Sequence, residues 1–295
     1  MKISQFKLLT ILLCAGILIN GCTKDDDQEP GPDNGTGIRP VTPDSKAHVT
    51  DLFEYKPAPG QFINTSAGNR AAAESILGKT GLVSLGAWGG YIVLGFDHTV
   101  VNQPEKADLL ILGNASSVFS EPGVVMVMAD DNENGRPDDT WYELSGSETG
   151  KEGYIRDYAV TYHRPGAPTD EIAWTDNRGN SGSVRRAPGR TQSYYPDELQ
   201  EDSYTLKGTL LPDRNIDDSN PSFIKSIPFE FGYADNTPLG DKLDLSNAID
   251  AAGRKVNLRG IDFVRIQTGL QFNMGWLGEQ STEVSGVIDL SLYQD

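Results

Sequence analysis

The sequence predicts a mainly β protein, built as a single jelly-roll-like β-sandwich with one or two short helices. It contains 32 glycines and 17 prolines, which divide the chain into short segments. Runs rich in β-branched and aromatic residues recur between these turn-forming residues, the pattern of an all-β sandwich or barrel. Residues 48–295 contain no second linker and no internal repeat, so we expect one domain there.

Ten short runs have the composition of β-strands. They are residues 82–85, 91–96, 109–112, 124–129, 140–144, 158–162, 204–211, 228–233, 263–268 and 284–292. Residues 124–128 are apolar throughout, which predicts a strand inside a sheet with both faces covered.

Two segments have helical character. Residues 69–77 are rich in alanine, with Ser66 as a possible start and Gly78 as a stop signal. Residues 246–252 form a shorter candidate helix. Of the four tryptophans, we expect Trp88 and Trp141 in the core, because tryptophan is highly buried on average.

The N-terminus has the features of a secretory signal, which we place at residues 1–21. Lys2 and Lys7 precede an uncharged apolar run over residues 8–19, too short to span a membrane. The segment that ends at Cys22 resembles a bacterial lipobox, and this resemblance implies cleavage and lipidation at Cys22. The alternative is an ordinary signal with an incidental cysteine.

Residues 22–47 predict a flexible tether between the lipid and the domain. An acidic run at residues 24–27 resembles the tag that directs Bacteroidetes-type lipoproteins to the outer face of the outer membrane. The alternative is a solvated acidic linker. The rest of the segment is rich in Pro, Gly and polar residues, with little apolar surface to bury.

The charge of the chain argues against nucleic-acid binding. The formal net charge is −17, whereas binding to phosphate backbones depends on Lys and Arg. After cleavage Cys22 is the one remaining cysteine, so disulfides cannot stabilise the domain and apolar burial must do so.

Residues 130–139 have the pattern of a calcium-binding loop. Oxygen-bearing side chains alternate along it, and Gly135 allows a sharp turn. The predicted ligands are Asp130, Asn132, Asn134, the backbone carbonyl of Arg136, Asp138 and Asp139, with Glu143 as a possible late ligand. The flanks are strand-like and Trp141 occupies the twelfth position, so the loop is closer to those of dockerin and thrombospondin-type repeats than to an EF-hand. The alternative is an Asx-rich turn without metal.

Few residues point to catalysis. The three histidines, His48, His98 and His163, lack metal-ligand spacing, and no Gly-x-Ser-x-Gly motif occurs. A carboxylate pair for glycoside cleavage cannot be identified among so many acids. We therefore predict a non-catalytic protein.

Aromatic residues in loop-like surroundings are the candidate ligand contacts. They are Trp276, Tyr194, Tyr195 and Trp174. An aromatic ring in a loop can stack on a sugar ring or another flat ligand. Core packing is the alternative for each of them.

Several segments in order resemble a family of Bacteroidetes cell-surface lipoproteins. They are residues 84–98, 120–127, 134–143, 231–235, 260–264 and 278–284. Members accompany TonB-dependent uptake systems, including cobamide uptake, and are distantly similar to galactose-binding-type jelly rolls. The resemblance implies capture of a cobamide or a glycan for an outer-membrane transporter. The alternatives are an extracellular glycan hydrolase and an adhesion or assembly module without a small ligand.

The predicted lipid anchor can be tested at Cys22. We expect Cys22→Ala to move the protein from the membrane fraction to the soluble fraction, because no thiol remains to carry the lipid. Fractionation and intact-mass measurement would show this, and Cys14→Ala is the matched control. A Cys22→Ala protein that stays in the membrane fraction would contradict the prediction.

Overall fold

The chain is a mainly β protein with antiparallel sheets, and the computed structural model describes residues 37–294. The predicted signal segment, Cys22 and residues 22–36 of the predicted tether lie outside the described residues. No helix within residues 37–294 is long and apolar enough to cross a membrane.

The described residues contain seventeen strands, most of them short. In chain order they are β1 (Asp51–Lys56), β2 (Val83–Ser84), β3 (Tyr91–Val101), β4 (Leu109–Leu112), β5 (Gly123–Met128), β6 (Tyr142–Leu144), β7 (Ile155–His163), β8 (Ile172–Asp176), β9 (Ser181–Val184), β10 (Ser203–Leu210), β11 (Ile216–Asp217), β12 (Lys225–Ser226), β13 (Asp241–Leu243), β14 (Ala248–Ile249), β15 (Gly260–Thr268), β16 (Glu283–Val284) and β17 (Gly286–Asp289). Helix α1 (Arg70–Glu74) and the 3-10 turns Leu245–Asn247 and Gly275–Leu277 complete the elements.

A six-stranded antiparallel sheet forms the centre of the fold, in the order β1-β3-β15-β5-β6-β14. Its apolar face packs against the three-stranded sheet β13-β4-β17 and the short pair β16-β2, as a sandwich does. Leu94 of β3, Val125 of β5 and Ile266 of β15 meet Ile111 of β4 and Val287 of β17 in this core. The β-sandwich is therefore as expected, whereas the specific jelly-roll topology stays a prediction.

A second core covers the four-stranded sheet β10-β7-β8-β9. Trp88 lies in it without solvent exposure, as predicted. Its ring packs edge-on against Tyr158, with 4.7 Å between centroids, and its backbone carbonyl accepts a 2.7 Å hydrogen bond from the Tyr162 hydroxyl. Trp141, also expected in the core, is instead half-buried and borders open cavities.

The prediction for residues 124–128 is confirmed. Strand β5 lies between β15 and β6, inside the six-stranded sheet. Val125 and Val127 point into the sandwich core, and Val124 contributes to a third cluster with Phe229 and Tyr233. Val124 and Val125, on opposite faces of the strand, thus enter separate cores, whereas Met126 is half-buried and borders an open cavity.

The predicted helix at residues 246–252 is wrong. Only Leu245–Asn247 turns helically, and the Asp244 side chain caps it by accepting the Ser246 N–H at 2.7 Å. Ala248 and Ile249 then pair with β6 as strand β14. An isolated two-turn helix is marginal in water, whereas this pairing satisfies the backbone and buries both side chains.

The predicted strand at residues 228–233 is also wrong. The Asn236 side chain takes the place of a strand partner there. It accepts the Phe229 N–H at 2.7 Å and donates to the Phe229 carbonyl at 2.9 Å. The aromatic residues that suggested a strand, Phe229 and Tyr233, are buried in the third cluster.

Residues 39–47, the end of the predicted tether, contact the folded domain. The Arg39 guanidinium lies 2.9 Å from the Asp262 carboxylate, and the Arg39 N–H donates to the Thr99 hydroxyl. The Ala47 carbonyl accepts the Asp289 N–H at 2.7 Å. The folded domain therefore includes residues before the predicted boundary at residue 48.

Gly90 tests how tightly the backbone packs near Leu85 and Ala58. An added Cβ there would lie 1.8 Å from the Leu85 carbonyl oxygen and 2.5 Å from the Ala58 nitrogen. We expect Gly90→Ala to lower the free energy of unfolding by about 3 kcal/mol or more, because backbone atoms cannot move aside cheaply. Chemical denaturation would measure this loss. Gly166→Ala, whose Cβ would meet only an Asp170 oxygen at 3.7 Å, is the control and should change little. Equal stability of the two variants would contradict the prediction.

Candidate functional site

Three carboxylates from distant parts of the chain meet at one place. Glu121 lies just before β5, and Glu283 is the first residue of β16. Asp235 lies two residues after Tyr233, a member of the third apolar cluster. One oxygen from each lies within 4.8 Å of the other two. Among the described residues this is the only group of three or more acidic, His or Cys side chains close enough to share a metal ion. We call these three residues the acidic cluster.

Backbone N–H groups hold Asp235 in the acidic cluster. Its Oδ1 accepts from Asn114 at 2.8 Å and from Ala115 at 2.9 Å, and its Oδ2 accepts from Glu283 at 2.9 Å. Asp235 has a backbone φ of 51°, in the left-handed region that non-glycine residues rarely adopt. Such conformations occur at functional sites more often than elsewhere, where the surrounding contacts enforce them.

Ser281 orients the other two members of the acidic cluster. Its N–H donates to Oε1 of Glu121 at 3.0 Å, and its hydroxyl donates to Oε1 of Glu283 at 2.8 Å. The Ser281 and Ser84 hydroxyl oxygens lie 2.6 Å apart.

The acidic cluster and the neighbouring Glu279 all have raised pKa values. Burial is the largest cause for each, because the charged form loses its hydration. The pKa of Glu121 and that of Asp235 lie well above their usual range, and the charge of Glu283 adds to both shifts. Burial raises the pKa of Glu279 to about 8. Strongly shifted carboxyl groups in a cleft are typical of functional sites.

Glu121, Glu279 and Glu283 border a cavity of about 400 Å³, which we call the acidic pocket. Its lining combines acids, amides, one arginine and aromatic or apolar side chains. They are Gln61, Phe62, Asn114, Phe119, Glu121, Ala187, Pro188, Arg190, Met274, Trp276, Leu277, Glu279, Gln280 and Glu283.

Trp276 is the exposed aromatic residue of the acidic pocket, with 53% of its surface accessible. It lies in the 3-10 turn Gly275–Leu277, which the Met274 N–H closes by donating to the Gly278 carbonyl at 2.7 Å. The indole N–H donates to the Ser222 carbonyl at 3.0 Å and so fixes the ring. A large aromatic surface is therefore presented to solvent in one orientation, as expected of a stacking residue.

Tyr194 and Tyr195 are not available for ligand stacking. Both are buried in the second core, with 0% and 2% exposure. The Tyr194 hydroxyl accepts the Ala187 N–H at 3.0 Å, and the Tyr195 hydroxyl donates to the Glu201 carbonyl at 2.9 Å. Their interpretation as ligand contacts is corrected: the adjacent rings support the core.

Trp174 is half-buried on β8 and borders a smaller cavity of about 100 Å³. That cavity shares Glu279 and Gln280 with the acidic pocket. The two tryptophans among the predicted contacts, Trp174 and Trp276, therefore lie at cavities on either side of one pair of polar residues.

The loop over residues 130–139 closes on its own hydrogen bonds. The Asp130 carboxylate accepts the N–H groups of Asn134 at 3.0 Å and Gly135 at 2.8 Å. The side-chain amides of Asn132 and Asn134 donate to Asp138, and these bonds lower the pKa of that carboxyl.

The other predicted ligands of this loop, Asp139, Arg136 and Glu143, each have a different hydrogen-bond partner. Asn132 also donates to Asp139 at 3.2 Å, and the exposed Arg136 donates its N–H to the Asn134 side chain at 2.8 Å. Glu143 lies elsewhere, hydrogen-bonded to Tyr154 and Thr209. These contacts have the form of Asx turns, and calcium in this loop stays a prediction.

A separate cavity of about 460 Å³ is bordered by Trp141 and by charged side chains, including Glu143, Arg156 and Arg265. Its charged groups are largely engaged by the protein itself. Arg156 donates to the Asp250 and Ala251 carbonyls, and the Arg265 guanidinium stacks 4.0 Å from the Tyr91 ring centroid. One lining atom of that cavity, Nε of Arg265, is buried without a hydrogen-bond partner, whereas the acidic pocket has three, on Glu279, Gln280 and Glu283; we therefore favour the acidic pocket.

Sequence reasoning named Trp276 but missed the four carboxylates. A signal was present, because Glu121, Asp235, Glu279 and Glu283 all lie in segments that carry the family resemblance. Their proximity could not be inferred, since 114 residues separate Glu121 from Asp235.

Comparison with known proteins adds no assignment. No protein-family model matches the chain, and no curated protein matches it.

The raised pKa of Glu279 predicts a pH dependence of stability. Above the ordinary pKa of glutamate the unfolded chain releases this proton, whereas the folded protein retains it until about pH 8. In the presence of a chelator, the free energy of unfolding should fall between about pH 5 and about pH 8, with up to about 1.4 kcal/mol per pH unit from this group.

Glu279→Gln should reduce this slope, because the amide stays neutral in both states. Thermal denaturation across the pH range would measure it, with the exposed Glu152→Gln as the control. An unchanged slope in Glu279→Gln would show that Glu279 does not titrate as described.

Proposed function

We propose that this protein is a non-catalytic, surface-exposed lipoprotein that captures a glycan in the acidic pocket for a TonB-dependent outer-membrane transporter. The observation that carries the proposal is the pairing of an oriented, half-exposed Trp276 with buried carboxyl and amide groups in one cavity. Carbohydrates offer an apolar ring face and a rim of hydroxyl groups, and such a pocket complements both.

The polar lining favours a glycan over a cobamide. Hydroxyl groups can donate to acceptors on Glu279 and Gln280, whose Oε2 and Oε1 atoms are buried without a hydrogen-bond partner. The Arg190 guanidinium stacks 4.9 Å from the Phe62 ring centroid and supplies donors at the same pocket. A corrin ring would require a broader apolar surface than this pocket offers.

The acidic cluster also keeps the hydrolase alternative open. Neighbouring carboxyl groups with raised pKa values are what acid–base cleavage of a glycosidic bond requires. However, one oxygen of Glu121 lies within 4.8 Å of one oxygen of Glu283, closer than the roughly 5–9.5 Å between the two carboxyl groups of glycosidases. Capture without cleavage therefore agrees better with the geometry.

The cellular part of the proposal rests on the N-terminal sequence. The signal segment, Cys22 and the acidic run that follows support lipid anchoring and display outside the cell. Delivery to a transporter rests on the family resemblance. Calcium in the loop over residues 130–139 is proposed as a structural ion, supported by the alternation of oxygen-bearing side chains there.

Binding of the full-length chain, purified in detergent, to a polysaccharide panel and to cyanocobalamin tests the proposal. We expect binding to at least one glycan, and expect Trp276→Ala to weaken it about tenfold or more, because loss of a central aromatic anchor commonly costs at least 1–2 kcal/mol. Phe231→Ala removes an equally exposed aromatic residue outside the pocket and is the matched control.

Each other outcome points to an alternative. Cobamide binding without glycan binding would move the ligand assignment to the vitamin. Shortened glycan products that disappear in Glu279→Gln would favour a hydrolase. Binding to neither class would contradict capture and leave an adhesion or assembly role.

A further inference from the structure

The acidic cluster brings three carboxyl groups together without a basic partner. None of the ion pairs among residues 37–294 includes Glu121, Asp235 or Glu283. Asp235 is fully buried and Glu283 is 2% exposed. Buried carboxylates are stable when they are paired, protonated or bound to a metal ion.

Two residues outside the acidic cluster provide an independent indication of a ligand. Glu279 and Gln280 are 4% and 2% exposed, and both border the acidic pocket together with Glu121 and Glu283. The Glu279 Oε2 and Gln280 Oε1 atoms are buried and have no hydrogen-bond partner. Within the cluster, Oε2 of Glu283 is in the same condition. Buried oxygens nearly always have a partner, so an oxygen without a protein partner indicates a bound water molecule or ion.

The acidic cluster is also held in a fixed arrangement. The three backbone N–H groups on Asp235 and the two bonds from Ser281 orient all of its members. Each carboxylate oxygen can accept more than one contact, so these bonds leave acceptor positions open. A preorganised set of oxygens loses little conformational entropy when it binds a ligand.

We propose that Glu121, Asp235 and Glu283 bind a calcium ion at the base of the acidic pocket. The donors are all oxygens, as hard cations prefer, and Ca²⁺ tolerates the irregular geometry that three rigid carboxylates impose. The uncharged oxygen of Gln280 and water would complete its six to eight ligands.

The ion has a second role that rests on the proposed function. Glu121 and Glu283 line the acidic pocket, so an ion held by them would be within reach of a ligand there. Two neighbouring hydroxyl groups of a sugar would replace water there, while Trp276 packs on the ring. Glycan binding at this pocket is therefore calcium-dependent.

Calcium binding to the full-length chain tests the first part directly. After removal of metal with a chelator, isothermal titration with CaCl₂ should show a site that Glu121→Gln and Glu283→Gln each weaken by at least about tenfold. Asp138→Asn, in the loop over residues 130–139, is the matched control and should leave this site intact. Circular dichroism would confirm that each variant is folded.

Terbium luminescence provides a test that leaves every carboxylate in place. Excited tryptophan transfers energy only to a nearby Tb³⁺ ion. Emission should fall in Trp276→Phe and persist in Trp141→Phe, since Trp141 lies beside the other loop. No calcium or terbium binding, or loss of the signal only in Trp141→Phe and Asp138→Asn, would overturn the proposal.

Glycan binding separates the two parts of the inference. Loss of glycan binding in chelator, restored by calcium, would support the shared site. Calcium binding at the acidic cluster without any glycan binding would uphold the ion site and contradict the proposed function. Glycan binding that is unchanged in chelator would overturn the role of the ion in recognition.

Discussion

Burial of the inner face of the six-stranded sheet against the sheet β13-β4-β17 is the constraint on which the rest of the structure depends. Val125 and Val127 of β5 enter the sandwich core, whereas Val124 enters the third cluster. Each buried aliphatic side chain contributes about 1.5–3 kcal/mol, so the described residues 37–294, which contain no cysteine, can be stable on apolar burial. Loops at the ends of these strands are consequently held close to the interior.

The acidic cluster occurs where such loops meet. Glu121 precedes β5 and Glu283 begins β16, so both are placed by strands rather than by mobile segments. Burying carboxylates there is costly, and nearby apolar substitutes would stabilise the fold more. A cation bound by these carboxylates, as proposed above, would offset that cost, and the left-handed backbone of Asp235 is of the kind that occurs at binding sites.

Two calcium sites are proposed for this protein, one in the loop over residues 130–139 and one at the acidic cluster. The loop over residues 130–139 is a local pattern, and its oxygens engage backbone N–H groups and side-chain amides of the same loop. The acidic cluster is non-local, and buried oxygens near it lack partners. The first ion would stabilise a connection between strands, and the second would take part in recognition.

By itself, the sequence determined the mainly β class, the central position of β5, the burial of Trp88 and the predicted secretion signal. These features depend on local composition and on the periodicity of neighbouring side chains. Only the tertiary structure decided that Ala248 and Ile249 pair as a strand, that Tyr194 and Tyr195 are buried, and that Glu121, Asp235 and Glu283 meet. The physical reason is that strand pairing and burial depend on partners far away in the chain, which no local pattern specifies.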